Sequence, residues 1–181
     1  MRYLPRMLAG LFRGAIAELV DEALTTALAL AGAPRVAGDV AVVGDVALGL
    51  ALRKRATGDA RPSSSSAAAF AIVAEPGARA ARKIEGVLQG TPVQLPLADG
   101  ALAAVIGVGA LAPESSVALH QMIREWVRVV RDGGAVVLVD RVPRPLATRH
   151  ALCAGLTEIE QRASGRAVVT SGLVSRLVRR D

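Results

Sequence analysis

Hydrophobic and polar residues along positions 95–140 are arranged in blocks that predict a strand, a helix and a second strand. Residues 103–108 and 135–139 are short apolar runs of the kind that a parallel strand covered on both faces requires. Between them, residues 117–130 repeat apolar side chains at helical spacing, with charged side chains mostly opposite. The Gly133-Gly134 pair predicts that this helix stops in a tight turn. This order predicts a right-handed crossover in an open parallel sheet.

The rest of the chain continues the alternation. Helical spacing predicts one or two helices over residues 3–31. Further strands are predicted at residues 36–43, 68–74, 156–160 and 167–171, and further helices at residues 50–55, 78–88 and 150–155. Together they predict an α/β fold with helices on both faces of a sheet. We interpret residues 1–34 as a helical leader packed on the sheet and residues 35–181 as one compact domain.

Composition restricts the core and the partners. With 52% hydrophobic but only 2% aromatic residues, the core must consist mainly of Ala, Val and Leu. The net charge of +6 permits nucleic-acid binding, yet the Arg residues are dispersed and few rings could stack on bases. No nucleic-acid partner is therefore expected. Twenty of the 22 basic residues are Arg and Asn is absent, which is typical of the codon bias of a GC-rich bacterial genome.

Cysteine and histidine offer no evident metal chemistry in the sequence. A single cysteine, Cys153, excludes an internal disulfide and a cysteine-ligated zinc site, and its apolar neighbours predict a packed small side chain. His120 and His150 lie far apart in sequence with no carboxylate at metal spacing. We therefore expect no metal.

The first 33 residues contain apolar runs that acidic side chains interrupt. Glu18, Asp21 and Glu22 leave too short a run for a membrane-spanning helix and do not fit the apolar core of a secretory signal. An amphipathic helix on a membrane surface is the alternative to a helix packed on the sheet. The acidic residues favour packing, because anionic lipid would repel them. The predicted location is cytoplasmic.

Three phrases resemble the class I S-adenosylmethionine (SAM) dependent methyltransferases, especially the methyltransferase type 11-like group of small-molecule enzymes. LPLADGALAAV at residues 95–105 is similar to the family phrase LPFPDGSFDAV, RVVRDGG at residues 128–134 to RVLRPGG, and VVLVD at residues 136–140 to LVLVD. The likeness covers about residues 36–178. It implies a Rossmann-like seven-stranded sheet in the order 3-2-1-4-5-7-6 with one antiparallel strand.

The same resemblance implies a SAM-binding loop after the first strand, where the family has an acidic residue, one residue and then G-x-G-x-G. This chain has Val42 at the acidic position, followed by Gly44, Val46 and Leu48 at the three glycine positions. We expect Val46 and Leu48 to occupy volume that the family keeps open. Read instead as the dinucleotide fingerprint G-x-G-x-x-G, the loop keeps Gly44 and Gly49 and loses the glycine that lets the backbone reach a cofactor.

Glu75 follows the second strand, where the resemblance implies a carboxylate that holds the ribose hydroxyls of the cofactor. A structural alternative is that Glu75 favours the dipole of the helix that follows it. The candidate cofactor-binding residues, all weak or vestigial, are Gly44, Asp45, Glu75 and Leu95. No catalytic residue is assigned, because the family's polar positions are taken by Thr91, Ala103 and Ala112.

Three functional hypotheses follow. The first is a methyltransferase-like protein with a degraded SAM-binding loop that acts as a non-catalytic partner, regulatory or binding subunit. Its partner would be a second copy of the chain, in a homodimer, or another protein. The second is an active SAM-dependent methyltransferase of a small or lipophilic acceptor with a diverged loop. The third is a membrane-surface protein that uses its N-terminal helix.

Overall fold

The structure, a computed structural model, describes residues 6–30, 39–58, 70–74, 87–108, 116–140, 145–164 and 167–176. These residues form four helices and seven strands. In chain order the elements are α1 (Arg6–Leu30), β1 (Val40–Val43), α2 (Val46–Gly58), β2 (Phe70–Ala74), β3 (Val87–Gln89), β4 (Leu102–Val108), α3 (Ser116–Val129), β5 (Val130–Asp140), α4 (Pro145–Cys153), β6 (Leu156–Ser164) and β7 (Ala167–Val174).

The strands form one sheet in the order β3-β2-β1-β4-β5-β7-β6. The first five strands of this order are mutually parallel, and β4 pairs with β5 so that Val105 lies opposite Val136. Strand β7 runs antiparallel to both β5 and β6. The predicted strand order and its single antiparallel strand are confirmed.

The central strands bury both of their faces. Along β5, Val136 and Leu138 belong to a core shared with α3 and α4, whereas Val137 and Val139 belong to a second core shared with α1 and α2. This alternation follows from the two-residue period of a strand, which sends neighbouring side chains to opposite faces. Helices therefore cover both faces, as predicted, and the two cores consist almost entirely of aliphatic side chains.

Several predicted boundaries differ from the structure. Helix α2 begins at Val46 rather than residue 50, because the side chain of Asp45 caps it. Strand β3, Val87–Gln89, occupies the end of the helix predicted at residues 78–88, because pairing with β2 outweighs the local helical pattern. The rest of that helix lies outside the described residues. Helix α4 starts earlier than predicted, and β6 and β7 continue further.

The predicted stop of the helix ahead of Gly133-Gly134 is confirmed, but these two glycines belong to β5 rather than to a separate turn. Helix α3 ends at Val129, and residues 130–140 belong to one strand whose pairing with β4 shifts register near its start. Gly133 has a φ of 69°. A Cβ on Gly134 would lie 2.6 Å from the carbonyl oxygen of Ala103, so this glycine permits a close approach to β4. The glycines therefore shape the start of β5 rather than terminate the helix.

The side chain of Arg176 binds carbonyl oxygens at the end of α3. Its Nη2 donates hydrogen bonds to the carbonyl oxygens of Arg128 and Val130, each at 2.9 Å. Its backbone N–H donates to Asp132 Oδ1 at 2.7 Å. A guanidinium at this end satisfies free carbonyls and complements the helix dipole. Arg176 is therefore a structural contact of α3 and not only a charged residue near the end of the described chain.

The segment between β3 and β4 is tied to α3 by Glu125. The side chain of Glu125 is 13% exposed, and its Oε1 accepts a hydrogen bond from the backbone N–H of Leu95 at 2.8 Å. The carboxylate also binds Arg128, which pairs with Asp99 as well. Hydrogen bonding to Arg128 is the main cause that lowers the pKa of Glu125, and burial opposes it. This network fixes the chain as it enters β4.

Helix α1 is bound to the sheet by apolar contacts and one charged cluster. Ala17, Val20 and Leu24 are buried in the core that contains β1 and β5. At the far edge, Arg162 of β6 donates to Glu22 at 2.7 Å and to Thr26 at 3.2 Å. Among the helices of the described ranges, none has the length and apolar character needed to cross a membrane.

Deletion of residues 1–31 is expected to make the remaining chain aggregate. Val20 and Leu24 each contribute roughly 1.5 to 3 kcal/mol by burial, and their loss exposes the apolar face of β1 and β5. Light scattering of the purified fragment measures its aggregation. A Val20→Ala, Leu24→Ala variant of the full chain tests the same contacts without removing the helix. A monomeric, cooperatively folded fragment would contradict the expectation.

Glu125→Gln is expected to lower stability at neutral pH and not in acid. The pKa of Glu125 is lowered in the folded chain from an ordinary value of 4.5, so its charge stabilises the fold above that value and less as pH falls through the folded pKa. Glutamine keeps an acceptor for the Leu95 N–H but loses the charge that faces Arg128. Urea midpoints of the two proteins should therefore converge below pH 4.5; a constant gap from pH 7 to pH 3 would refute this role.

Candidate cofactor site

The sheet reverses its winding between β1 and β4. From β1 the chain proceeds through α2 to β2 on one side, whereas from β4 it proceeds through α3 to β5 on the other. Ligands of open α/β sheets bind at the carboxyl ends of strands at such a point. In this chain the point lies where Val43 pairs with Gly107, just before the turn formed by Gly44 and Asp45.

Gly44 has a conformation and surroundings that exclude other residues. Its φ is 93°, in the region that favours glycine. A Cβ at this position would lie 2.7 Å from the carbonyl oxygen of Val108, too close for any side chain. Its N–H donates to the carbonyl oxygen of Val73 at 3.3 Å. The packing of β1 between β2 and β4 therefore explains by itself why residue 44 is a glycine.

Asp45 occupies the first amides of α2 with its own side chain. Its Oδ1 accepts hydrogen bonds from the N–H groups of Ala47 at 2.9 Å and Leu48 at 3.0 Å. An aspartate at this position is a favourable helix cap. These amides belong to the set that a helix N-terminus offers to an anionic ligand group. In this chain two of them are already satisfied, and a negative charge already lies beside them.

The two bulky residues of the loop have different surroundings. Leu48 is 1% exposed and belongs to the core that also contains Val20 of α1, so the expectation that it fills cofactor volume is wrong. Only two residues separate β1 from α2, and the third residue of the helix, Leu48, lies in the core. Val46 is half-buried at the first position of α2. Only Val46 therefore stays as the side chain that could narrow the site.

Gly49 permits α2 to lie against the sheet. A Cβ on Gly49 would be 2.8 Å from Cγ1 of Ile72 and 3.4 Å from Cβ of Val42. This is the packing role that the last glycine of a G-x-G-x-x-G loop serves. The glycines with structural roles, Gly44 and Gly49, are thus present, and the middle position, where the backbone approaches a cofactor, holds Val46.

The space where Gly107 would carry a side chain is filled by Trp126. A Cβ on Gly107 would lie 1.9 Å from the ring of Trp126, which is fully buried and whose Nε1 donates to the carbonyl oxygen of Pro92 at 2.8 Å. The indole therefore covers the end of β4 on the α3 side. A site bounded by Gly107 on this face is excluded. The single tryptophan of the chain was the available signal, since a large ring in an aliphatic core needs a neighbour without a side chain.

The remaining candidates do not form one cluster with Gly44 and Asp45. Leu95 is buried among core residues, and its backbone N–H is engaged by Glu125. Glu75 and Ala112 lie outside the described residues. Thr91 pairs through its backbone with Gln94. The structure therefore brings together Gly44 and Asp45 and places Leu95 in the core.

Sequence reasoning missed two features of the helical layer above β4 and β5. Cys153 is exposed, not packed, because it lies at the solvent side of the end of α4. His120 of α3 and His150 of α4 lie together, with ring centroids 6.0 Å apart. Linear spacing could not reveal this contact, since it depends on how the two helices pack. In the described ranges, no group of three or more His, Cys, Asp or Glu side chains is placed to hold a metal ion.

No protein-family model matches the sequence, and no curated protein matches it either. Solved structures do share the fold. Streptomyces venezuelae DesVI has a TM-score of 0.64 at 12% identity over 97% of this chain and 100% of its own. An O-methyltransferase family protein from Burkholderia thailandensis has a TM-score of 0.61 at 16% identity, and the match covers 92% of this chain and 59% of that protein. Human N-acetylserotonin methyltransferase, solved in complex with SAM, has a TM-score of 0.59 at 10% identity, and the match covers 91% of this chain and 55% of the human protein.

These likenesses and the strand order establish the fold. The chain has the Rossmann-like fold of class I SAM-dependent methyltransferases. It spans little more than half of the Burkholderia and human proteins.

Asp45→Ala is expected to destabilise the protein by about 1 kcal/mol, because the amides of Ala47 and Leu48 lose their cap. Asp45→Asn should stay near the parent, since an asparagine oxygen caps equally well. Urea unfolding at neutral pH compares the three proteins. Equal stability of Asp45→Ala and the parent would show that water replaces the cap without loss.

Proposed function

We propose that this chain is a methyltransferase-fold protein with weak or absent SAM binding that acts as a non-catalytic partner or regulatory subunit. The observation that supports it is the β1–α2 turn, in which Asp45 occupies the first amides of α2 and Val46 stands at the position of the middle glycine. Gly44 and Gly49, which the turn retains, serve the packing of the sheet. The turn lacks the middle glycine, the position at which the backbone of a G-x-G-x-x-G loop approaches a cofactor.

Electrostatics at this turn support the same proposal. SAM carries a carboxylate on its methionine part, and an anionic group gains most where a helix N-terminus presents free amides. Asp45 places its own carboxylate there, so a second negative group nearby would be repelled. The side chain of Val46 adds bulk at the same point. The charge of Asp45 and the bulk of Val46 both reduce the affinity for SAM without disturbing the fold.

The partner is proposed in general terms, as a second copy of the chain or another protein. The exposed large apolar side chains of the described residues are Leu50, Val93, Val117 and Leu152, and they lie on different elements. Scattered residues of this kind do not define an interface. A membrane-surface role is less well supported, because Val20 and Leu24 of α1 are buried against the sheet and not free for lipid.

The second candidate function is an active SAM-dependent methyltransferase of a small or lipophilic acceptor. It is favoured by the preserved geometry of Gly44, with its φ of 93° at the switch point of the sheet, and by the SAM complex of the human enzyme with the same fold. Methyl transfer can proceed largely through proximity and orientation, so the lack of an assigned base does not exclude it.

Titration calorimetry with SAM and with its demethylated product S-adenosylhomocysteine distinguishes the two candidates. We expect no binding by the parent at micromolar concentration. Val46→Gly should increase SAM affinity and should destabilise the helix start by roughly 1 kcal/mol or less. Val46→Ala is the matched control, since it removes the branched side chain without adding backbone freedom.

Micromolar binding of SAM by the parent would overturn the non-catalytic proposal and make the enzyme the leading function. In that case binding should depend on the turn, and the Asp45→Asn variant, which keeps the cap and loses the charge, should bind more tightly than the parent.

A further inference from the structure

The two histidines of the chain meet between helices α3 and α4. His120 lies in the second turn of α3, and His150 lies in the last turn of α4. Their ring planes are inclined by 48° with centroids 6.0 Å apart. Both rings are partly buried beside a core of mainly aliphatic side chains. The proposed function uses neither of them.

One ring nitrogen of His150 is buried. This nitrogen, Nε2, has no hydrogen-bond partner within the described ranges. Buried polar atoms normally have partners, and one without a partner is costly unless a ligand or an ion supplies the interaction. A neutral imidazole nitrogen is a good ligand for first-row transition metals.

The spacing of the rings suits one shared ion. A histidine nitrogen binds Zn²⁺ at about 2.0 to 2.1 Å, which places each ring centroid roughly 3 Å from the metal. Two imidazoles on one tetrahedral ion then have centroids about 5 Å apart. The observed 6.0 Å requires the rings to close by only about 1 Å.

We propose that His120 and His150 together bind one transition-metal ion of the Zn²⁺ or Ni²⁺ type and so link α3 to α4. The described residues supply no third ligand, so the site is open, and water or a small oxygen or nitrogen ligand completes the coordination. Mg²⁺ should not bind, because it prefers oxygen ligands. The proposal is independent of SAM binding and replaces the expectation of no metal that was based on spacing in the sequence.

The test uses the full chain without a histidine tag, titrated with ZnCl₂ or NiCl₂ and, as a negative control, with MgCl₂. At an ion concentration ten times Kd, Tm should rise by about 3 to 6 °C with Zn²⁺ or Ni²⁺ and not with Mg²⁺. Calorimetry should give one ion per chain. The variants His120→Gln and His150→Gln should each abolish both effects.

Cys153 provides the matched control, because it is exposed and lies one turn beyond His150. Cys153→Ala should bind the metal as the parent does. If it loses binding, the ligands are His150 and Cys153, and the proposal is wrong. Retention of binding by either histidine variant, or no binding by the parent, also overturns it. Should a histidine variant fail to fold, the imidazole NMR signals of the parent decide, since both of its two histidines must shift on adding Zn²⁺.

Discussion

The burial of β1, β4 and β5 on both faces is the constraint on which the rest of the structure depends. The chain contains few aromatic residues, so its cores are built from small aliphatic side chains that stabilise the fold only when helices lie very close to the sheet. Gly49 permits that approach for α2, and Gly107 permits it for Trp126 of α3. Both glycines are therefore explained by packing alone.

The same constraint changes the interpretation of the candidate site. A glycine after β1 in an α/β sheet suggests a cofactor loop, yet Gly44 is required by the carbonyl of Val108 whether or not a cofactor binds. Between these two glycines, Val46 is half-buried at the first position of α2. In this turn the two glycines at positions 44 and 49 are therefore explained by the packing of the sheet, whatever the chain binds.

Much of the fold could be predicted from residue patterns. The buried runs that became β4 and β5 and the amphipathic period of α3 were recognisable, because they depend on local periodicity. The short strand β3 and the contact of Arg176 with the end of α3 were not. The first depends on pairing with β2, and the second on Arg176, which arrives from the far end of the chain.

The sequence by itself determined the order of most of the elements and placed a valine at position 46, since both are properties of consecutive residues. Tertiary structure alone decided that Leu48 points into the core, that Leu95 is held by Glu125, and that His120 meets His150. Each of these contacts joins residues from different elements. Their positions are set by how helices pack on a twisted sheet, which no local pattern of hydrophobic and polar residues encodes.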